Sequence, residues 1–188
     1  MQTIVFEDIS EVIYKVIVIG DPAVGKGELL TKIATSQFEE NYRPSLGVSI
    51  SKVRIELDDY DIFVTLVVWN ISARTHFYVL HRLYFNGADG VILVFDTTRS
   101  STFSNIKKWY NSTVKYCPSG VPRILIGNKI DLKDDRKILL LRAEHLSEKL
   151  NAPYFEISAL TGNNIDKVFR NLAEMIYNSK HRLLVEQI

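Results

Sequence analysis

The chain has 188 residues, 46% hydrophobic and 24% charged, a globular composition long enough to bury a substantial core in one domain. A formal net charge of +1 gives no electrostatic basis for binding nucleic acid or a strongly anionic partner. One cysteine, Cys117, excludes an intramolecular disulfide and fits a reducing compartment.

Residues 1–13 read as an N-terminal arm in which Thr3, Ile4, Val5 and Phe6 form either a short extra strand or a packed segment. There is no charged start followed by an apolar signal core. Regular punctuation begins at Tyr14. Val16, Ile17, Val18 and Ile19 are a continuous apolar run, as expected for a strand covered on both faces. A glycine-bounded loop follows, then a helical pattern through Leu29, Leu30 and Ile33.

Val53, Ile55 and Leu57 alternate with Lys52, Arg54 and Glu56, the period of a half-buried edge strand. The polar stretch Asp58, Asp59, Tyr60 and Asp61 turns the chain into a second strand ending near Trp69, predicting a hairpin. Residues 75–85 are rich in aromatic and apolar side chains; Leu80, Leu83 and Tyr84 are expected to pack beneath a helix. Further strands are predicted over 91–95, 123–126 and 154–157. Between and after them lie helical faces: Phe103, Ile106, Trp109 or Tyr110, and Val114; then Ala143, Leu146 and Leu150; then Ile165, Val168, Phe169, Leu172, Met175 and Ile176.

This gives an α/β domain over 14–178 with six strands, mostly parallel, and five helices on both faces. A C-terminal extension over 179–188 carries no cysteine for prenylation, and no apolar run is long enough to span a bilayer. The expectation is a soluble cytoplasmic chain that reaches a membrane only indirectly. In such folds ligands sit at the carboxyl ends of the strands, so the loops after Ile19, Trp69, Phe95, Ile126 and Ile157 should converge.

Two of these loops carry chemistry. Gly20, Asp21, Pro22, Ala23, Val24, Gly25, Lys26 and Gly27 join a buried strand to a helix. This is the layout of a phosphate cradle, with backbone N–H groups, a helix N-terminus and a lysine for the outer phosphates. A purely structural glycine turn is the alternative. The second loop is Gly127, Asn128, Lys129, Ile130 and Asp131. A carboxylate on that rim can accept two parallel hydrogen bonds from adjacent N–H donors, an edge that guanine has and adenine lacks. Taken alone, Asp131 reads sooner as a turn residue or helix cap than as a base reader. A third loop, with Ser158, Ala159 and Leu160 after Glu156 and Ile157, has backbone N–H groups to offer a base.

Together these residues resemble the Ras superfamily of small GTP-binding proteins, and within it the Rab branch, from about Tyr14 to Ile176. Gly20-Asp21, the segment Pro44-Ser45-Leu46-Gly47-Val48, and Phe103 with Trp109 add to the Rab-like context. The resemblance implies a P-loop NTPase-type small GTPase fold with one antiparallel edge strand. It implies GTP or GDP held by Asp21, Ala23, Val24, Gly25, Lys26, Gly27 and Glu28 at the phosphates. At the base it implies Phe38, Asn128, Lys129, Asp131, Ser158, Ala159 and Leu160. It also implies an effector surface at Ile50, Trp69, Phe77 and Tyr84, where proteins bind through the switch regions.

The departures from the family pattern cluster. Mg²⁺ in the family takes hydroxyl ligands from the phosphate loop and first switch, while an aspartate holds a metal-bound water. Here those positions are Gly27, Ser45 and Asn70. One oxygen is lost and one charge is neutralised, which implies weak or absent Mg²⁺. The second-switch glycine and glutamine read Ala73 and Arg74. Arg74 has five donors and no acceptor, so it cannot hold the attacking water as glutamine does. It reads as a surface arginine, or else as an internal arginine finger, and no catalytic residue is assigned. The first reading is therefore a Rab-like guanine-nucleotide binder with weak or absent GTP hydrolysis, acting as a protein-binding switch or adaptor. A partner-activated GTPase and a nucleotide-free scaffold stand behind it.

Overall fold

The computed structural model describes residues 10–37, 48–71 and 78–185. Six strands, β1 (Ser10–Ile19), β2 (Val48–Leu57), β3 (Ile62–Ile71), β4 (Gly90–Asp96), β5 (Arg123–Asn128) and β6 (Tyr154–Glu156), form one sheet in the order β2-β3-β1-β4-β5-β6. β2 runs antiparallel to β3 along the edge, and every other neighbouring pair is parallel. The helices are α1 (Lys26–Gln37), α2 (Tyr78–Phe85), α3 (Ser100–Ser104), α4 (Ile106–Tyr116), α5 (Leu140–Leu150) and α6 (Ile165–Val185). α3 and α4 are one helical stretch interrupted at Asn105, which keeps helical dihedrals (φ −79, ψ −10). Counted that way, the described chain has the expected five helices. None of its helices is long and apolar enough to cross a membrane.

β1 shows why its sequence is apolar without alternation. Val16 and Val18 face a core shared with Leu29 and Ile33 of α1 and with Val168, Phe169 and Leu172 of α6. Ile17 and Ile19 face the other way, into a core with Phe85 of α2, Phe103 of α3, Ile106 of α4 and Leu146 of α5. A strand covered on both sides has no polar face to present. At the edge, Val53, Ile55 and Leu57 are buried while the residues between them are exposed, as their alternation requires.

Several boundaries and faces differ from the sequence reading. β1 begins at Ser10, and residues 10–13 pair with β3, so this part of the expected arm is strand; residues 1–9 lie outside the described residues. α6 continues past 178 to Val185, so the expected domain border falls inside a helix. Val114 is 56% exposed, and Thr113 is buried in its place. Seven residues on from Ile106 returns to within about 20° of the same face, whereas eight residues on lies about 80° away. Leu83 is 66% exposed, and Phe85 fills the space beneath α2.

These face assignments separate two truncations. Phe169→Ala, at a side chain with 0% exposure, is expected to lower the free energy of unfolding by about 3–5 kcal/mol. Val114→Ala should stay within about 0.5 kcal/mol. Urea denaturation followed by circular dichroism reads both, and comparable losses would contradict the assignment.

Candidate functional site

Because the strands from β3 to β6 are parallel, the loops leaving Ile19, Asp96, Asn128 and Glu156 share one rim. The loop from Gly20 to Lys26 passes so close to its neighbours that two positions require glycine. A Cβ on Gly20 (φ +151) would lie 2.2 Å from the Val94 carbonyl oxygen, and one on Gly25 (φ +95) would lie 2.1 Å from Asn128 Nδ2. Gly27 differs: a Cβ there meets nothing within 4 Å among the described residues. Lys26, the first residue of α1, bends back across the loop. Its Nζ donates to the carbonyls of Gly20 (2.8 Å) and Asp21 (2.9 Å), and the side chain is buried. Burial lowers its pKa to about 8, against the raising effect of Asp21 and Glu28. The N–H groups of the first turn of α1 have no intrahelical acceptor and add positive potential at the same place.

Asp21 contributes its backbone to this cradle and its side chain elsewhere. The carboxylate accepts from Asn105 Nδ2 (2.7 Å) and Trp109 Nε1 (2.8 Å), which fastens the loop to the α3–α4 stretch. Val24 is buried, whereas Ala23 and Glu28 are exposed.

The loop after β5 is built around Asn128. Its Nδ2 donates to the Val24 carbonyl (2.8 Å), and its Oδ1 accepts from the backbone N–H groups of Lys129 (2.8 Å) and Ala159 (2.9 Å). One buried amide therefore ties the loops after β1, β5 and β6 together. The Ala159 N–H is engaged by that bond, and Ser158 Oγ accepts from the Thr161 N–H, so both brace the loop. Leu160 is exposed beside them. Asp131 stands apart from this bracing. Its Oδ1 is buried and has no hydrogen-bond partner among the described residues.

Sequence reasoning missed the group that holds these loops in register. Asp96, the last residue of β4, has a side chain only 1% exposed. Its Oδ1 accepts from Thr98 N (2.8 Å) and Thr98 Oγ1 (2.6 Å). Its Oδ2 accepts from Arg99 Nε (2.9 Å) and pairs with Lys129 Nζ (2.7 Å). Arg99 also reaches the Pro22 carbonyl (3.0 Å), and Lys129 reaches that of Ala23 (3.2 Å). Burial alone would raise the Asp96 pKa, but the hydrogen bonds from Lys129, Thr98 and Arg99 outweigh it and hold it at about 2. The available signal was position: Asp96 ends a fully apolar strand on the ligand rim.

At the opposite side of the cradle the donor set is thin. Asn70 donates through Nδ2 to Ser49 Oγ (3.2 Å), and its Oδ1 is buried without a partner among the described residues. Among the described residues there is no group of three or more His, Cys, Asp or Glu able to hold a metal. The neutral amide of Asn70 and Gly27, which has no side-chain oxygen, do not by themselves fit an octahedral Mg²⁺ site. Phe38, Ser45, Ala73, Arg74 and Phe77 lie outside the described residues. Away from the cradle, three of the expected effector residues do meet. Ile50 sits opposite Trp69 across the hairpin, and the Trp69 and Tyr84 rings are 6.2 Å apart. Lys15 Nζ lies 4.7 Å from the Trp69 ring centre.

Asp96→Asn keeps the shape and removes the charge shared by Lys129 and Arg99. It should destabilise the protein by about 3–5 kcal/mol, because it leaves cations beside a neutral buried group. Arg99→Ala, on a half-exposed side chain, should cost no more than about 1 kcal/mol. The wild-type contribution is fully present above the ordinary aspartate pKa and is lost as pH falls through about 2. Denaturant titrations at neutral pH compare the variants; equal costs would mean Asp96 is not the hub.

The sequence matches the profile of the Ras family over residues 15–178. It is 36% identical over 165 residues to the Ras-related protein Rab-1 of Theileria annulata, covering 87% of this chain and 74% of that protein. It is 31% identical over 176 residues to the Ras-related protein RABA5b of Arabidopsis thaliana, covering 94% of this chain and 80% of the other. The GTP-binding protein ypt1 of Schizosaccharomyces pombe is 32% identical over 164 residues, covering 87% of this chain and 80% of that protein. With a six-stranded sheet of this order and a glycine-bounded loop running into α1, the chain belongs to the Ras family and is a Rab-like small GTPase.

Proposed function

We propose that this protein holds GTP or GDP, hydrolyses GTP weakly or not at all on its own, and acts as a protein-binding switch or adaptor in vesicle traffic. The observation that carries the reading is a contrast between two buried oxygens without partners, Asp131 Oδ1 and Asn70 Oδ1. At the base end the orphan belongs to a carboxyl group, the acceptor that suits guanine's adjacent N–H donors. At the metal end it belongs to a neutral amide, and the phosphate-loop position expected to ligate the metal is Gly27, which has no side-chain oxygen. The first supports guanine selectivity; the second supports weak Mg²⁺ binding. Arg74 in place of the water-orienting glutamine supports slow hydrolysis.

The chain's own residues account for retention. Lys26, freed from its two carbonyl acceptors, meets the phosphates; the first turn of α1 adds its N–H groups; Asp131 reads the base. Mg²⁺, where bound, would supply charge neutralisation at the phosphates. The half-exposed cluster of Ile50, Trp69 and Tyr84 supports protein partners at the hairpin edge. Recruitment to endomembranes then runs through such partners.

Direct tests compare GTP, GDP and ATP affinity with and without Mg²⁺, followed by single-turnover hydrolysis. Equal affinity for ATP, or hydrolysis unaided at the rate of an ordinary small GTPase, overturns the reading. Gly27→Ser adds a hydroxyl into open space, so the fold should accept it unchanged. A restored charge-assisted contact worth about 1.5–3 kcal/mol should make nucleotide release about 10–100-fold slower when Mg²⁺ is added, relative to the parent. No gain in Mg²⁺ dependence would mean that the hydroxyl is not what limits the metal.

Lys26 sets a pH dependence. Phosphate favours the charged amine, so nucleotide affinity should be full below its pKa of about 8 and decline as pH rises through it. By pH 9 the expected loss is about ten-fold, with proton uptake on binding. Calorimetry in buffers of different ionisation heat measures both, and a flat profile with no proton uptake would contradict the role given to Lys26.

A further inference from the structure

The segment entering α5 is firmly anchored and then turns three leucines outward. Ile138 is fully buried, and its N–H donates to the Thr97 carbonyl (3.0 Å). Arg136 Nε donates to the Ile138 carbonyl (2.7 Å), and its guanidinium pairs with Glu156. Immediately afterwards Leu139, Leu140 and Leu141 are 71%, 48% and 77% exposed. Leu139 occupies the N-cap, in extended conformation and with no side-chain cap, and the first turn has no acidic residue. A helix start ordinarily favours polar and acidic side chains there. Three consecutive exposed leucines on a rigid support mark a surface made for contact.

What lies beside them indicates the partner's chemistry. A groove of about 330 Å³ runs between the α3–α4 stretch and α5, with Phe103 and Leu146 along it and Lys107, Arg142, His145 and Lys149 around it. It has no carboxylate in its lining, and Lys107, Arg142 and Lys149 form no ion pair with the described residues. Arg142 and His145 also border a hollow of about 520 Å³ that Leu139 and Leu141 line, with Glu144 and Glu148 on its rim. The surface is thus graded: leucines with an acidic border on one side of α5, cations without a carboxylate on the other.

We propose that this face of α5 docks an acidic amphipathic segment of another protein, its apolar side chains on Leu139 and Leu141 and its carboxylates over Lys107, Arg142 and Lys149. The grading fixes the direction in which that segment lies. An apolar stripe with charges along one flank is how amphipathic helices are read by grooves, and complementary charge sets orientation and excludes wrong partners. The elements that build the groove cover the β4 to β6 half of the sheet, while Ile50 and Trp69 lie on β2 and β3 at the other end. Docking at α5 goes beyond the nucleotide reading and does not depend on it.

The test titrates isotope-labelled protein with three probes: a synthetic helical peptide with leucine and glutamate at helical spacing, its twin with lysine for glutamate, and vesicles of phosphatidylcholine and phosphatidylserine. The acidic peptide should shift amide signals around 103–107 and 139–149 and saturate. Lys107→Glu with Lys149→Glu, and separately Leu141→Ser, should each weaken it by about ten-fold or more without changing the melting temperature. Equal binding of the lysine twin overturns the proposal, as does absence of shifts with either peptide. Vesicle binding that Leu141→Ser abolishes while the acidic peptide stays silent also overturns it, assigning the patch to a membrane surface.

Discussion

Asp96 carries a carboxylate to the end of an apolar strand where almost no water reaches it, and the arrangement of the surrounding loops follows from that fact. An unpaired buried charge is costly, so cations must come to it. Lys129 comes from the loop after β5 and Arg99 from the segment leading into α3, and both continue past the carboxylate to carbonyls of the phosphate loop. Base loop and phosphate loop are consequently placed by one electrostatic centre. Ala23 (φ +58) and Lys129 (φ +72) hold left-handed backbone without being glycine. Such a conformation costs about 1–2 kcal/mol per residue. The Ala23 carbonyl accepts from the Lys129 side-chain amine (3.2 Å), so the two residues are linked across the rim.

The sheet was legible because burial on both faces leaves an unbroken apolar run that only a central strand of an α/β layer explains, as at Val16 to Ile19 and Val91 to Phe95. The hairpin edge was legible from alternation. Helical faces were less so. Val114 and Leu83 are apolar residues near a buried stripe, and at 113 helical spacing from Ile106 points inward while the residue type, a threonine, points the other way. Thr113 is accepted inside because its hydroxyl donates to the Tyr110 carbonyl and receives Arg123 Nε. Such satisfaction depends on a partner ten residues away in the chain and is invisible to periodicity.

In the site, residue types that form a contiguous motif were found and residues joined only in space were not. Asn128 and Asp131 stand three residues apart and look alike as base-loop members, yet one braces three loops and the other holds an unused acceptor. Arg99, Asn105 and Trp109 contact the phosphate loop from α3 and α4. In the sequence Trp109 reads as a helix-face residue, and nothing local marks Arg99 or Asn105. Their role emerges only once the parallel sheet brings Asp21 and Pro22 against them.

The two ends of the cradle differ in how much of the fold rests on them. At the base end, Asn128 and Lys129 also support the architecture, and Asp131 alone stands outside the bracing. Asn128 bonds Val24 and Ala159, Lys129 neutralises Asp96, and Gly25 makes room for Asn128. Changing any of them would loosen the loops. At the metal end, Gly27 has open space around the position of a Cβ, and Asn70 donates one side-chain hydrogen bond, to Ser49. A glycine inside a helix costs up to about 1 kcal/mol relative to alanine, and nothing in the packing at 27 requires it. The position of Gly27 can therefore change at small structural cost, whereas Asn128 and Lys129 are bound up with the architecture. With the function proposed above, that asymmetry explains why a chain can keep its guanine-reading loops intact while its metal ligands have changed.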